Sequence, residues 1–178
     1  RLEDGVTVGP NAAFQASAEV GYQVMEPLKV VLGYEYLSGT SQTDTANKKN
    51  NSFNPFYGTN HRFNGYMDYF YVGNHANNVG LQDIFLKIIY QKNRLLGALD
   101  LHGFMSAADI RDMTDLTGFT DMAGYMGTEI DLTLGYQIAD YISLQAGYSH
   151  MLGTESMGAI KGGDPDEWPE DLRVREFP

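Results

Sequence analysis

The chain of 178 residues contains no cysteine. That removes a disulfide framework, a thiol nucleophile and any Cys-ligated zinc or iron–sulfur site. Basic residues are scarce: 12 Lys and Arg stand against 23 Asp and Glu, for a formal net charge of −11. So acidic a chain is poorly suited to neutralising phosphates, and nucleic acid is excluded as its main partner. Long apolar runs are also missing, since no stretch reaches the ~18 consecutive apolar residues of a membrane helix. A helical membrane protein is excluded on that ground. A membrane β-barrel is not, because half its strand residues face water and its mean hydropathy stays low; here it is −0.32. No apolar h-region opens the chain, whose first residues, Arg1 to Pro10, are charged. A mature protein, an internal segment and a cytoplasmic protein all share that feature, so it decides nothing.

Tyrosine (12) and glycine (20) are abundant, and the regular feature is a period of two. From Ala12 to Val24 the even positions are Ala12, Phe14, Ala16, Ala18, Val20, Tyr22 and Val24, and the odd ones are mostly polar. That alternation predicts a strand with one oily and one wet face. Met25-Glu26-Pro27-Leu28 interrupts it, and it resumes through Val30, Leu32, Tyr34 and Tyr36. A second pair follows at Ile84–Tyr90 and Leu99–Gly103, and a third at Thr128–Ile138 and Ile142–Tyr148. Short turns of about three or four residues close all three hairpins. Long polar segments join the hairpins, 38–80 and 107–126, and a third begins at Gly153. Short turns at one end and long loops at the other are the habit of outer-membrane barrels, with short periplasmic turns and long extracellular loops.

Tyrosine placement gives a second signal. Tyr22, Tyr90 and Tyr136 lie near the short turns, and Phe14, Tyr36 and Tyr148 lie near the opposite ends. The interval from Phe14 to Tyr22 is about 20 Å along a barrel axis, at ~3.3 Å per residue and a tilt of ~40°. Two aromatic girdles flanking an apolar band would have about that spacing. The expected fold class is therefore all-β: an antiparallel up-and-down transmembrane β-barrel, to which this chain supplies about six or seven strands, as a single domain over 1–178. On this reading Phe14, Val20, Tyr22, Leu32, Tyr34, Leu86, Ile88, Leu132, Leu134 and Leu144 point outward to lipid. Glu19, Glu35, Asp83, Lys87, Asp100, His102, Glu129 and Asp131 face a lumen, with Gln15, Gln23, Gln137 and Gln145 on the same side. The same alternation also suits a soluble antiparallel β-barrel that binds a ligand, with the oily face inside.

The stretch Asn54-Pro55-Phe56-Tyr57-Gly58-Thr59-Asn60-His61-Arg62-Phe63-Asn64-Gly65-Tyr66-Met67-Asp68-Tyr69-Phe70, followed by Gly80-Leu81-Gln82-Asp83, resembles alginate-export-type outer-membrane porins of Bacteroidota, in their C-terminal half. Gly127-Thr128-Glu129-Ile130-Asp131 and Gly147-Tyr148-Ser149-His150-Met151 are similar to that group as well. The resemblance covers roughly residues 10 to 163. It implies a barrel with more strands than these six, this chain being the C-terminal part of a longer porin in the outer membrane of a Gram-negative bacterium. Asp164 to Pro178 departs from the pattern, which leaves a closing strand in doubt. The resemblance does not carry a substrate with it.

Chemical motifs are sparse. His61, His75, His102 and His150 show no metal-ligand spacing. There is no G-x-S-x-G elbow, and Gly162 to Glu167 lacks the register of a calcium loop. No enzyme activity, cofactor or metal is expected. The segment 38–80 reads as a long extracellular or pore loop, too rich in aromatics to be a floppy tether. Within it Tyr57, Asn60, His61, Arg62, Tyr66, Asp68 and Tyr69 are candidates for a constriction. The expected function is a channel for passive passage of small polar solutes or saccharides. Its partners would be outer-membrane lipid, those solutes and other outer-membrane proteins. Six carboxylates against Lys87 alone predict a cation-leaning or neutral-solute path.

Overall fold

A computed structural model describes residues 12–44, 49–54, 64–70, 78–112 and 120–161. Alternating β-branched, aliphatic and aromatic residues form β1 (Gln15–Met25), β2 (Leu28–Leu37), β3 (Leu81–Lys92) and β4 (Leu95–Met105). Two short strands, β5 (Ile110–Arg111) and β6 (Asp121–Met122), precede β7 (Tyr125–Ala139) and β8 (Ile142–Gly153), and a helix, α1 (Glu155–Lys161), follows. The long strands make one antiparallel sheet of order β1-β2-β3-β4-β7-β8; β5 and β6 pair separately. The protein is all-β in class, and its large sheet is open, with β1 and β8 as its edges.

The three hairpin turns are tighter than their sequence suggests, two residues each at 26–27, 93–94 and 140–141. In the outer two, a glutamine amide ties the turn: Gln23 Nε2 donates to the Met25 and Leu28 carbonyls, and Gln137 Nε2 to that of Ala139. The middle turn uses Asn93 in the left-handed region instead (φ 55°), which Asn tolerates better than most residues.

The registers stagger these hairpins. Tyr22 pairs with Val30, whereas Tyr90 pairs with Leu28, two residues nearer the turn. Tyr90 pairs across its other edge with Gly97, whereas Tyr136 pairs with Leu95, again two residues nearer the turn. The three tyrosines, each followed by an inward glutamine (Gln23, Gln91, Gln137), thus descend by two residues for every two strands crossed.

The even-register face of β1 and its cross-strand partners is apolar and solvent-facing: Val20 is 74% exposed, Tyr22 69%, Leu32 58% and Leu144 64%. Of the ten residues expected on that face, Leu86 and Ile88 are half-buried by their same-face neighbours, and the other eight are exposed. The buried apolar cluster lies instead at the loop end of the opposite face. There Leu37, Leu81, Phe104 and Met151 are covered by Phe70, Val79, Ile110 and Met157 from the loops and α1. Loop backbones are stitched together above it, Thr40 N donating to the Asn78 carbonyl (2.8 Å), Gln42 N to Asp109 (3.0 Å) and Ala107 N to Val79 (3.1 Å).

Candidate functional site

Cross-strand pairing collects the charged residues on one face. Glu35 lies opposite Asp83, His102 opposite Glu129, and Asp100 opposite both Lys87 and Asp131. Like charges directly opposite repel, and burying them costs more unless donors are supplied. Asp83 and Glu129 are fully buried, with Asp131, Asp100 and His102 nearly so. Glu35 is half-buried, and Glu19, on edge strand β1, is exposed.

The donors come from two sources. The first is the wall itself: His102 Nδ1 lies 2.9 Å from Asp83 Oδ2, and Lys87 Nζ lies 3.7 Å from Asp100 Oδ2. The second is the segment 64–70, which lies on this face. Asn64 Nδ2 donates to Glu35 Oε2 (2.8 Å) and Asp83 Oδ2 (3.2 Å), bridging the two acids. Met67 N donates to Glu129 Oε1 (2.8 Å), and Tyr66 N to Asp131 Oδ2 (3.2 Å). These four hydrogen bonds tie the segment to the wall. The second oxygens, Glu129 Oε2 and Asp131 Oδ1, are buried with no hydrogen-bond partner among the described residues.

The turn that makes this contact depends on Gly65. Its φ is +81°, and a Cβ there would sit 2.4 Å from Glu129 Oε1. Asp68 also adopts a positive φ of 57°. Beyond it, the Phe70 ring meets Phe104 at 4.6 Å between centroids. Lys161 of α1 closes the contact from above, its Nζ donating to the Tyr69 carbonyl and lying 4.6 Å from the Phe70 ring centroid. Partial burial pushes the Lys161 pKa down to about 8, so at neutral pH the ammonium still brings its charge to the ring.

We expect Gly65→Ala to loosen this segment, because it combines a disfavoured backbone with a clash against a buried carboxylate. The cost should be about 1–3 kcal/mol, as for overpacking elsewhere. Limited proteolysis of the 64–70 segment, with the sheet's circular dichroism as a control, would measure it; equal cleavage rates would argue against the tight fit.

Of the constriction candidates, Tyr66, Asp68 and Tyr69 lie in this inward segment, with Asp68 half-buried and Tyr69 exposed at 37%. Tyr57, Asn60, His61 and Arg62 lie outside the described residues, as do His75 and residues 162–178, including the stretch Asp164 to Pro178. Sequence reading did not single out Asn64 or Gly65 as anchors. The positive-φ requirement of a Gly preceding a turn was the available signal. His150 sits apart on the apolar register, its Nδ1 3.5 Å from the Tyr148 hydroxyl. Among the described residues, no group of three or more His, Asp or Glu is arranged to hold a metal ion. No family model, curated protein or solved structure matches the chain.

Proposed function

We propose that this chain forms wall strands of a transmembrane β-barrel, a porin of the alginate-export type in the outer membrane of a Gram-negative bacterium. It passes small polar solutes or saccharides passively. One observation carries the reading: the face that a soluble fold would bury is exposed, and the charged face is covered by an inward loop. Such an inversion is what lipid outside and water inside require. No helix among the described residues is long and apolar enough to cross a membrane; strands would do the crossing.

The stagger of the tyrosines supports the reading quantitatively. Two residues along a strand are about 6.6 Å, and two inter-strand gaps about 9.6 Å. A line descending at that ratio becomes level when the strands tilt by about 35°, within the range of membrane barrels. Tyr22, Tyr90 and Tyr136 then share one depth, as an interfacial girdle does. The six long strands among the described residues are fewer than the eight of the smallest single-chain barrels of this kind, and the edges at β1 and β8 are where further strands would join. The loop segment 64–70 narrows the bore, and the acids that keep contact with water, exposed Glu19 and half-buried Glu35, lean it towards cations and neutral solutes.

Extraction gives the first test: the protein should require detergent, whereas the alternative, a soluble antiparallel β-barrel ligand-binding protein, would release into buffer. In planar bilayers it should give stepwise conductance that increases when the loop is deleted. Strong anion selectivity, or conductance indifferent to the deletion, would overturn the assignment of the pore.

A further inference from the structure

We propose that Glu129 and Asp131 are positioning residues: they are the receptor on the wall for the loop amides of Tyr66 and Met67, and so set the bore instead of selecting ions by charge. The inference rests on the channel reading and concerns how its narrow point is held. Carboxylates that select permeant ions must present their oxygens to water in the path. These two are withdrawn from it, at 0% and 1% exposure, and each gives one oxygen to a backbone N–H of the loop. Glu129 Oε1 is also the atom against which Gly65 closes, at a distance that admits no side chain. The receptor is therefore matched to the loop in shape as well as in hydrogen bonding. Glu19 is exposed and Lys87 is half-exposed on the same face, and these remain available to passing ions.

The two roles separate in one pair of variants. Glu129→Gln removes the charge but keeps a carbonyl oxygen at the acceptor position; Glu129→Leu removes both. If the residue positions the loop, E129L raises single-channel conductance with little change in reversal potential, and E129Q restores most of the narrow bore. If it selects ions, both variants shift the reversal potential alike, and that result overturns the proposal.

Amide exchange of the wild-type protein in detergent gives a second reading that survives a variant failing to fold. The Tyr66 and Met67 amides should exchange about ten- to a hundredfold more slowly than exposed loop amides, the equivalent of one hydrogen bond to a charged group. Unprotected amides would remove the receptor alone. A wild-type protein that carries no current would remove the channel, and with it the bore that the receptor sets.

Discussion

Leu132→Arg should cost about 2–4 kcal/mol of stability in a bilayer, the penalty for a cation on the lipid face near the midplane of a barrel. Leu132 is the central residue of β7 (Tyr125–Ala139) and is 40% exposed on the apolar face. In a barrel whose strands tilt by about 35°, it would lie between the depth of Tyr136 and that of Phe14, furthest from either interface. The matched control is Gln145→Arg on the neighbouring strand β8, paired with Gly135 three positions along from Leu132, on the opposite face and already exposed. A charge there meets water, so its effect should fall on selectivity and leave stability nearly unchanged. Denaturant titration of both variants in lipid, followed by strand circular dichroism, measures the difference. Equal costs for the two arginines would mean that Leu132 does not face hydrocarbon.

The second large effect is expected at His102. Replacing it by Leu strips Asp83, at 0% exposure, of its imidazole partner and leaves it the Asn64 amide, which donates at 3.2 Å. Breaking a buried ionic or hydrogen-bonded pair from one side typically costs about 3–5 kcal/mol, most of it the desolvation of the group left behind. The ring also lies against Phe104, 5.6 Å between centroids, so some packing is lost too. Asp83→Leu combined with His102→Leu should recover much of the loss, because an apolar pair of similar volume leaves nothing uncompensated. If the double variant is as unstable as the summed singles, the two residues are not coupled and this face is held by other contacts.

Most of the sheet was legible because its information is local. Period-two alternation marks each long strand, and a proline or polar pair marks each turn, so the strand order needs only neighbouring hairpins. The lower part of the charged face was legible for the same reason: Asp83, Lys87, Asp100, Glu129 and Asp131 all stand on one phase of the alternation. What could not be read was where the loop goes. The segment around Asn64 has no period, and its docking is decided by contacts across more than sixty residues of sequence, such as Met67 with Glu129. Helix α1 was missed because seven residues are too few to display a helical period; it exists by packing Met157 into the loop-end cluster. The aromatics of the loop also separate only in three dimensions, Phe70 being buried while Tyr69 keeps its ring exposed.

The Tyr-Gln dipeptide that ends each turnward strand has a consequence for how such a wall can grow. On the barrel reading tyrosine would set the depth of each hairpin, and in two of the three the following glutamine also ties the turn, so those two hairpins carry both a level mark and a fastening. The first and third are near copies, with Gly21-Tyr22-Gln23, Gly33-Tyr34 and Gly39-Thr40 answered by Gly135-Tyr136-Gln137, Gly147-Tyr148 and Gly153-Thr154. On the barrel reading, a unit of this kind could be duplicated beside its parent with the two-residue offset kept at the new seam. In a closed barrel, circumference would thereby become an evolvable quantity independent of height, and the long loops would be free to diverge into whatever each added unit must cover.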